Sequence, residues 1–407
     1  MDKIQPVILG GDVGAYALGL QCYEAFGASS ICLANDPVDV ITESPLFTVE
    51  RIPPRASDKE LLAVLLGIAA VYQHRELLLL TNSDATIGFV ARHADQLSQH
   101  FSLPVPSEEA IDRLCRKDSF AQLCAELGVA TPRTEVVDFA DAQSGEWRPP
   151  TLDFTFPVVA KAASGEAYGK VSFPGKKKIW FIDDPEQLDA LWADLRGAGF
   201  DDLFLVQELI PGDDTHVRSL TFYVDRSGNV ALRAAAQVLL QDPSPTMIGN
   251  PVAMITREYP ELWEQAERLL QAVSYRGFAN FDIKVDPRNG TPYFFEVNPR
   301  IGRNSYYVAA AGQNPMLVMA RDLVAHEDVT PVVADQTVLY SLVPLSLISR
   351  YVTESSLKDE AKELAAAGHL ADPLVSPAEP SLKRKAIVQA QKLNYFRKFR
   401  RYYRVDL

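Results

Sequence analysis

The chain has 407 residues, enough for two or three domains with sizeable cores. A formal net charge of −13 argues against a general nucleic-acid binder, and 47% hydrophobic with 23% charged residues marks an ordinary globular chain. The longest apolar run, residues 61–72, is too short to span a bilayer, and residues 1–6 lead straight into a strand with no signal peptide. Cys22, Cys32, Cys115 and Cys124 lack metal-ligand spacing and sit in apolar patterns. They predict buried thiols in a reducing compartment, hence the cytoplasm.

In chain order, residues 6–9 read as a strand, Gly10-Gly11-Asp12-Val13-Gly14 as a tight turn, 15–26 as a helix and 30–34 as the next strand. This mimics a dinucleotide fingerprint, but the glycine spacing is not G-x-G-x-x-G. The better reading is a Rossmann-like α/β domain whose first loop faces a substrate cleft; an NAD-linked oxidoreductase is the alternative. Asp12 at the loop tip either meets a substrate ammonium or caps the helix. Helix 59–72, strand 76–81, the polar cluster Asn82-Ser83-Asp84 and helix 84–99 continue a β–α alternation that implies a parallel sheet. Helices over 108–114 and 118–127 follow, with a domain boundary near 115.

Residues 156–161 form a short apolar strand ending in Lys161. A lysine stem beside such a run calls for an anion at its tip. Residues 162–179 are glycine-rich and basic, which suits a mobile loop whose backbone approaches phosphates; a solvated hairpin loop is the bland alternative. Helix 183–198 and strand 203–207 lead into Gln207-Glu208-Leu209-Ile210-Pro211-Gly212-Asp213-Asp214. Strands 218–225 and 230–240 make a hairpin, 241–251 is a polar loop with three prolines, and 259–273 is a helix. Of six scattered histidines, His216 lies near this segment, where a structural role is the stronger reading.

Residues 278–304 are the densest in chemistry. Strand 279–285, the turn Asp286-Pro287-Arg288-Asn289-Gly290 and strand 293–297 predict a hairpin. Side chains alternate along a strand, so Glu296 and Asn298 share a face, and the obvious register lays Asp282 across from them. Two carboxylates and an amide oxygen suit Mg²⁺, with Mn²⁺ as an alternative, completed by water and substrate phosphates. Arg300 and Arg303 follow at once and are candidates to stabilise transferring charge. Acids beside such a turn are often merely solvated; their place in an aromatic strand ahead of two arginines weighs against that.

F-D-I-K followed by F-F-E-V-N-P-R resembles the metal hairpin of the ATP-grasp superfamily, whose members activate a carboxylate as an acyl phosphate and pass it to an amine. The resemblance implies ATP as cofactor and several roles. Lys117, opening R-K-D-S-F ahead of L-G-V-A-T-P, would reach the nucleotide phosphates, as would Lys161, with Gly165 and Lys178 in the loop above them. Gln207, Glu208, Leu209 and Ile210 would form the hinge that reads adenine, and Asp214 would bind ribose, where the usual acid is Glu. It also implies the architecture: a Rossmann-like pre-ATP-grasp domain over 1–115, an ATP-grasp fold of two α+β subdomains over 116–330 and a C-terminal extension over 331–407. V-I-L-G-G-D, D-P-S-P-T-M-I-G-N and F-E-V-N-P-R-I-G-R-N-S further resemble the D-aspartate ligase branch across residues 6–325. That implies an amino-acid substrate, D-aspartate foremost, and an amine acceptor such as lysine in a murein precursor. A ligase making a dipeptide or other amide, and an ATP-binding regulatory module without turnover, are the alternatives. Ser305, Tyr306 and Tyr307 either line the substrate site or pack.

Strand 337–345 and helix 358–367 precede a basic tail. Lys383, Arg384, Lys385, Lys392, Arg397, Lys398, Arg400, Arg401 and Arg404 face one acid, Asp406, among aromatic residues. Such a helix either meets an anionic membrane or precursor, or packs on the acidic body of its own chain.

Overall fold

The computed structural model describes residues 3–163 and 165–403. Its frame is three sheets. The first is parallel throughout, in the spatial order Phe47–Arg51, Ser30–Ala34, Ile4–Leu9, Glu76–Thr81, Phe101–Ser102. The β–α alternation produces it because a parallel neighbour needs a crossover, and helices Val13–Phe26 and Asp58–Val71 supply two of them. The order reverses between Ile4–Leu9 and Glu76–Thr81, which opens a crevice at their carboxyl ends. Gly14 lines it: a Cβ there would strike the Asn82 amide and the Arg303 side chain.

The second sheet is antiparallel, in the order Thr134–Asp138, Leu203–Glu208, Val158–Ala162, Trp180–Ile182. It packs on an aromatic cluster of Phe139, Tyr168, Trp192, Phe200 and Phe204. The third has eight strands, and Val217–Val224, Val230–Gln241 and Gly277–Val285 are its middle. The segment beyond 331 adds Val332–Val333, Leu339–Ser341 and Leu370–Ala371 to this same sheet. The expected strand 337–345 shortens to Leu339–Ser341, and the other two strands, of two residues each, carry too little alternation to be legible.

Two local expectations change. The glycine-rich stretch opens as a helix, Gly165–Lys170, because Tyr168 anchors it in the aromatic cluster. Lys176 donates to the carbonyls of Tyr168 and Val171, both at 2.6 Å, and so closes its end. The polar loop keeps its expected bounds to within a residue, but the segment after it, Pro251–Thr256, adds a strand that was not expected.

The basic tail forms the helix Leu382–Tyr402. Its inner face packs on the chain's own acids: Arg384 on Glu379 (3.4 Å), Lys392 on Asp372 (2.7 Å) and Lys398 on Asp242 (2.6 Å), while Lys383 meets Glu43 (2.7 Å). Lys385, Arg397, Arg400 and Arg401 remain exposed beside Leu382 and Leu393. Arg404 and Asp406 lie outside the described residues. Among the described residues no helix is long and apolar enough to cross a membrane. All four cysteines are free; three are buried and Cys115 is half-buried.

Candidate active site

The hairpin forms as its alternation and turn require. Gly277–Val285 pairs antiparallel with Pro292–Asn298, and Asp282 stands opposite Glu296. A register shift follows Asp282, and Asn298 Nδ2 donates to Asp282 Oδ2 at 3.1 Å. In the turn Asp286 accepts from the backbone and side chain of Arg288, which turns those two residues away from the acidic pair.

Burial in this crevice, and then the charge of Glu296, push the Asp282 carboxyl up to about 7 against the pull of Arg300, Asn298 and Lys178. Lys161 Nζ lies 3.8 Å from Glu296 Oε2. A divalent cation would add further positive charge, and the donors are the hard oxygens that Mg²⁺ takes. Among the described residues no three His, Cys, Asp or Glu side chains form a metal cluster, so phosphate and water oxygens would complete the sphere.

Arg300 and Arg303 run from this hairpin to the crevice of the first sheet. Arg300 Nε lies 3.0 Å from Asp84 Oδ1, yet that buried nitrogen has no well-formed hydrogen bond among the described residues. Arg303 Nε donates to Asp12 Oδ2 at 2.7 Å. Asp12 Oδ1 accepts from Ala15 N–H at 2.9 Å and from Asn82 Nδ2 at 3.0 Å, so Asp12 caps its helix as well as holding the arginine.

The opposite wall comes from the second sheet and its exit. Lys161 lies in Val158–Ala162, which pairs with Leu203–Glu208. Gln207 is buried and donates to Thr134 Oγ1 at 2.8 Å, and Glu208 N–H bonds the Arg133 carbonyl at 2.9 Å. Leu209 and Ile210 lie past the end of this strand, so the ladder leaves their amide edges unused. Asp214 opens the turn Asp214–His216 and accepts from Gln241 N–H at 2.9 Å. Gly165 begins the short helix above, and Lys178 Nζ donates to the Ile248 carbonyl at 3.3 Å. Lys117 opens the helix Lys117–Glu126, but its side chain lies outside the described residues.

Comparison with known proteins decides what this frame is. Residues 223–326 match the family described as carbamoyl-phosphate synthase L chain, ATP binding domain. A D-aspartate ligase of Enterococcus faecium is 29% identical over 99% of this chain and 98% of its own length. An L-amino acid ligase of Bacillus licheniformis shares the fold with a TM-score of 0.57 at 15% identity, covering 82% of this chain and 78% of that one. A biotin carboxylase of Campylobacter jejuni in a β-γ-ATP complex does so at 0.56 and 17%, covering 78% and 70%. The chain has the ATP-grasp fold.

The structure brings Asp282, Glu296, Asn298, Lys161 and Arg300 together. Ser305 accepts from Gln21, and the Tyr306 and Tyr307 hydroxyls donate to Glu24 and Thr221, contacts that packing alone explains. His216 Nδ1 is held by Asp213 at 3.0 Å, a structural role. Sequence reading missed Lys284, a half-buried lysine in the field of Asp214, Asp213 and Asp286. Its position two residues after Asp282 on one strand face was the available signal.

Burial raises the Asp214 carboxyl to about 6, above its ordinary 3.8. The folded protein therefore holds a proton there that the unfolded chain releases between about pH 4 and 6, so stability falls as pH rises through that window. Asp214→Asn cannot ionise. Its nucleotide-free form should exceed the native protein at pH 8 by about 1–2 kcal/mol, discounted for partial exposure, and lose that gain toward pH 4. Urea midpoints at the two pH values check this; a constant difference would contradict the buried-charge account.

Proposed function

We propose that the ligase activates the carboxylate of an amino acid, D-aspartate foremost, with Mg·ATP and joins it to an amine. The lysine side chain of a peptidoglycan stem peptide is the favoured acceptor. The observation that carries this is the single crevice in which the Asp282–Glu296 pair, Lys161 and Arg300 meet the carboxyl ends of the first sheet. The near full-length likeness to a D-aspartate ligase supports the substrate.

Asp282, Glu296 and Asn298 would hold Mg²⁺, which when bound neutralises phosphate charge. Lys161, Lys178 and Lys117 bind the phosphates, residues 207–210 the base and Asp214 the ribose. The substrate carboxylate attacks the γ-phosphorus in line, and ADP leaves as an acyl phosphate forms. Arg300 faces the charge on the transferring group. The amine then attacks the acyl carbon, phosphate departs and the amine proton passes to solvent. Arg303 holds Asp12 in place at the far wall. No protein nucleophile takes part. The thiols and ATP dependence fit a cytoplasmic setting.

Phosphate release from Mg·ATP with a panel of D- and L-amino acids, with and without a lysine-containing stem peptide, is the test. Stimulation by D-aspartate, completed by the peptide, is expected. Release with another amino acid would keep the chemistry and replace the substrate. No release with any amino acid would favour a binding module without turnover.

A further inference from the structure

The loop between Val230–Gln241 and Pro251–Thr256 contains D-P-S-P-T-M-I-G-N, a run to which the reaction above assigns nothing. Both ends of this loop touch the nucleotide wall. At its start Gln241 N–H donates to Asp214 Oδ2 at 2.9 Å, and near its end the Ile248 carbonyl accepts from Lys178 Nζ at 3.3 Å. One side chain organises what lies between. Asp242 is 1% exposed. Its Oδ1 accepts from the Ser244 N–H at 3.0 Å and the Ser244 hydroxyl at 2.6 Å. Its own N–H closes the loop on the Asn250 carbonyl at 2.9 Å, while Gly249 N–H bonds the Gln241 side chain at 3.1 Å.

A carboxylate this deeply buried needs a cation. It comes from the far end of the chain: Lys398 Nζ lies 2.6 Å from Asp242 Oδ2 and over the Tyr395 ring at 4.9 Å. Lys398 is itself 27% exposed along its side chain, so it reaches inward from the terminal helix rather than solvating its charge.

We propose that Lys398 is a positioning residue of the nucleotide site. It neutralises Asp242, so the 241–250 loop keeps the shape in which Gln241 orients Asp214 and Ile248 receives Lys178. The terminal helix thereby joins the wall that holds ATP, though none of its residues touches the reacting atoms. The inference rests on the ATP reading of the site.

The test measures the Kd for Mg·ADP and the steady-state parameters for ATP in the full chain. Lys398→Met should raise the Kd and the KM for ATP about tenfold, with kcat at saturating ATP within about threefold of native. Lys398→Arg, which keeps the charge, should restore the Kd to within about threefold. Lys398→Met strands a buried charge and can fail to fold. Lys398→Gln, which can still hydrogen-bond Asp242, then carries the test with about a tenfold rise in Kd, and the double variant Asp242→Asn/Lys398→Met, with no charge left to neutralise, should return the Kd to within about threefold of native. Native affinity for Mg·ADP in a folded Lys398→Met or Lys398→Gln variant would overturn the proposal, as would a tenfold rise that persists in the double variant. A native ligase that binds no Mg·ADP would instead overturn the ATP reading, and this inference with it.

Discussion

Glu296→Gln should abolish ATP turnover, by about a thousandfold or more, while the protein stays folded. The two halves of that expectation have one cause. Glu296 faces Asp282 across the hairpin, and its charge helps push Asp282 up to about 7. Removing it relieves a repulsion, so the nucleotide-free fold should lose nothing and the Asp282 carboxyl should ionise more easily. In the proposed metal site turnover needs that same charge, because two carboxylates would hold Mg²⁺ and one carboxylate with two amides would do so poorly. The side chain of Glu296 is 38% exposed, so the exchange leaves no cavity. Phosphate release at saturating substrates and a thermal melt read the two halves separately. Near-normal turnover would remove Glu296 from the metal site; a large drop in melting temperature would make it structural.

Arg300→Lys should lower kcat about a hundredfold with the charge retained. Arg300 is 14% exposed, and its buried Nε has no well-formed hydrogen bond although Asp84 lies 3.0 Å away. An ion pair so aligned serves poorly as a strut and leaves a planar donor directed at the crevice. Lysine keeps the charge and loses the fork. Asp84→Asn separates the two roles. It should cost about tenfold or less if Arg300 acts on the transferring phosphoryl group, since only the orientation of the guanidinium is loosened. Equal losses in both variants would show that Arg300 works only by fastening the hairpin to the first sheet.

What the sequence by itself determined is local. Alternation of side chains and the D-P-R-N-G turn set the hairpin and its register, so Asp282 opposite Glu296 was legible from spacing. The β–α alternation of the first hundred residues carried the parallel sheet, and an apolar strand ending in Lys161 carried the cation beside Glu296. The helix inside the glycine-rich stretch was not legible, because Tyr168 holds it through an aromatic cluster that includes residues more than thirty positions on. Composition could say that the terminal helix would cover something acidic, but not what.

Only the tertiary structure decided the partners. Asp12 and Arg303 are 291 residues apart, and Lys398 and Asp242 are 156 apart. Read alone, none of these side chains names its partner. A short-range pattern specifies which face a residue occupies. Which charge it meets there depends on how separate sheets pack, and that is set by the shape and burial of whole faces rather than by any spacing along the chain.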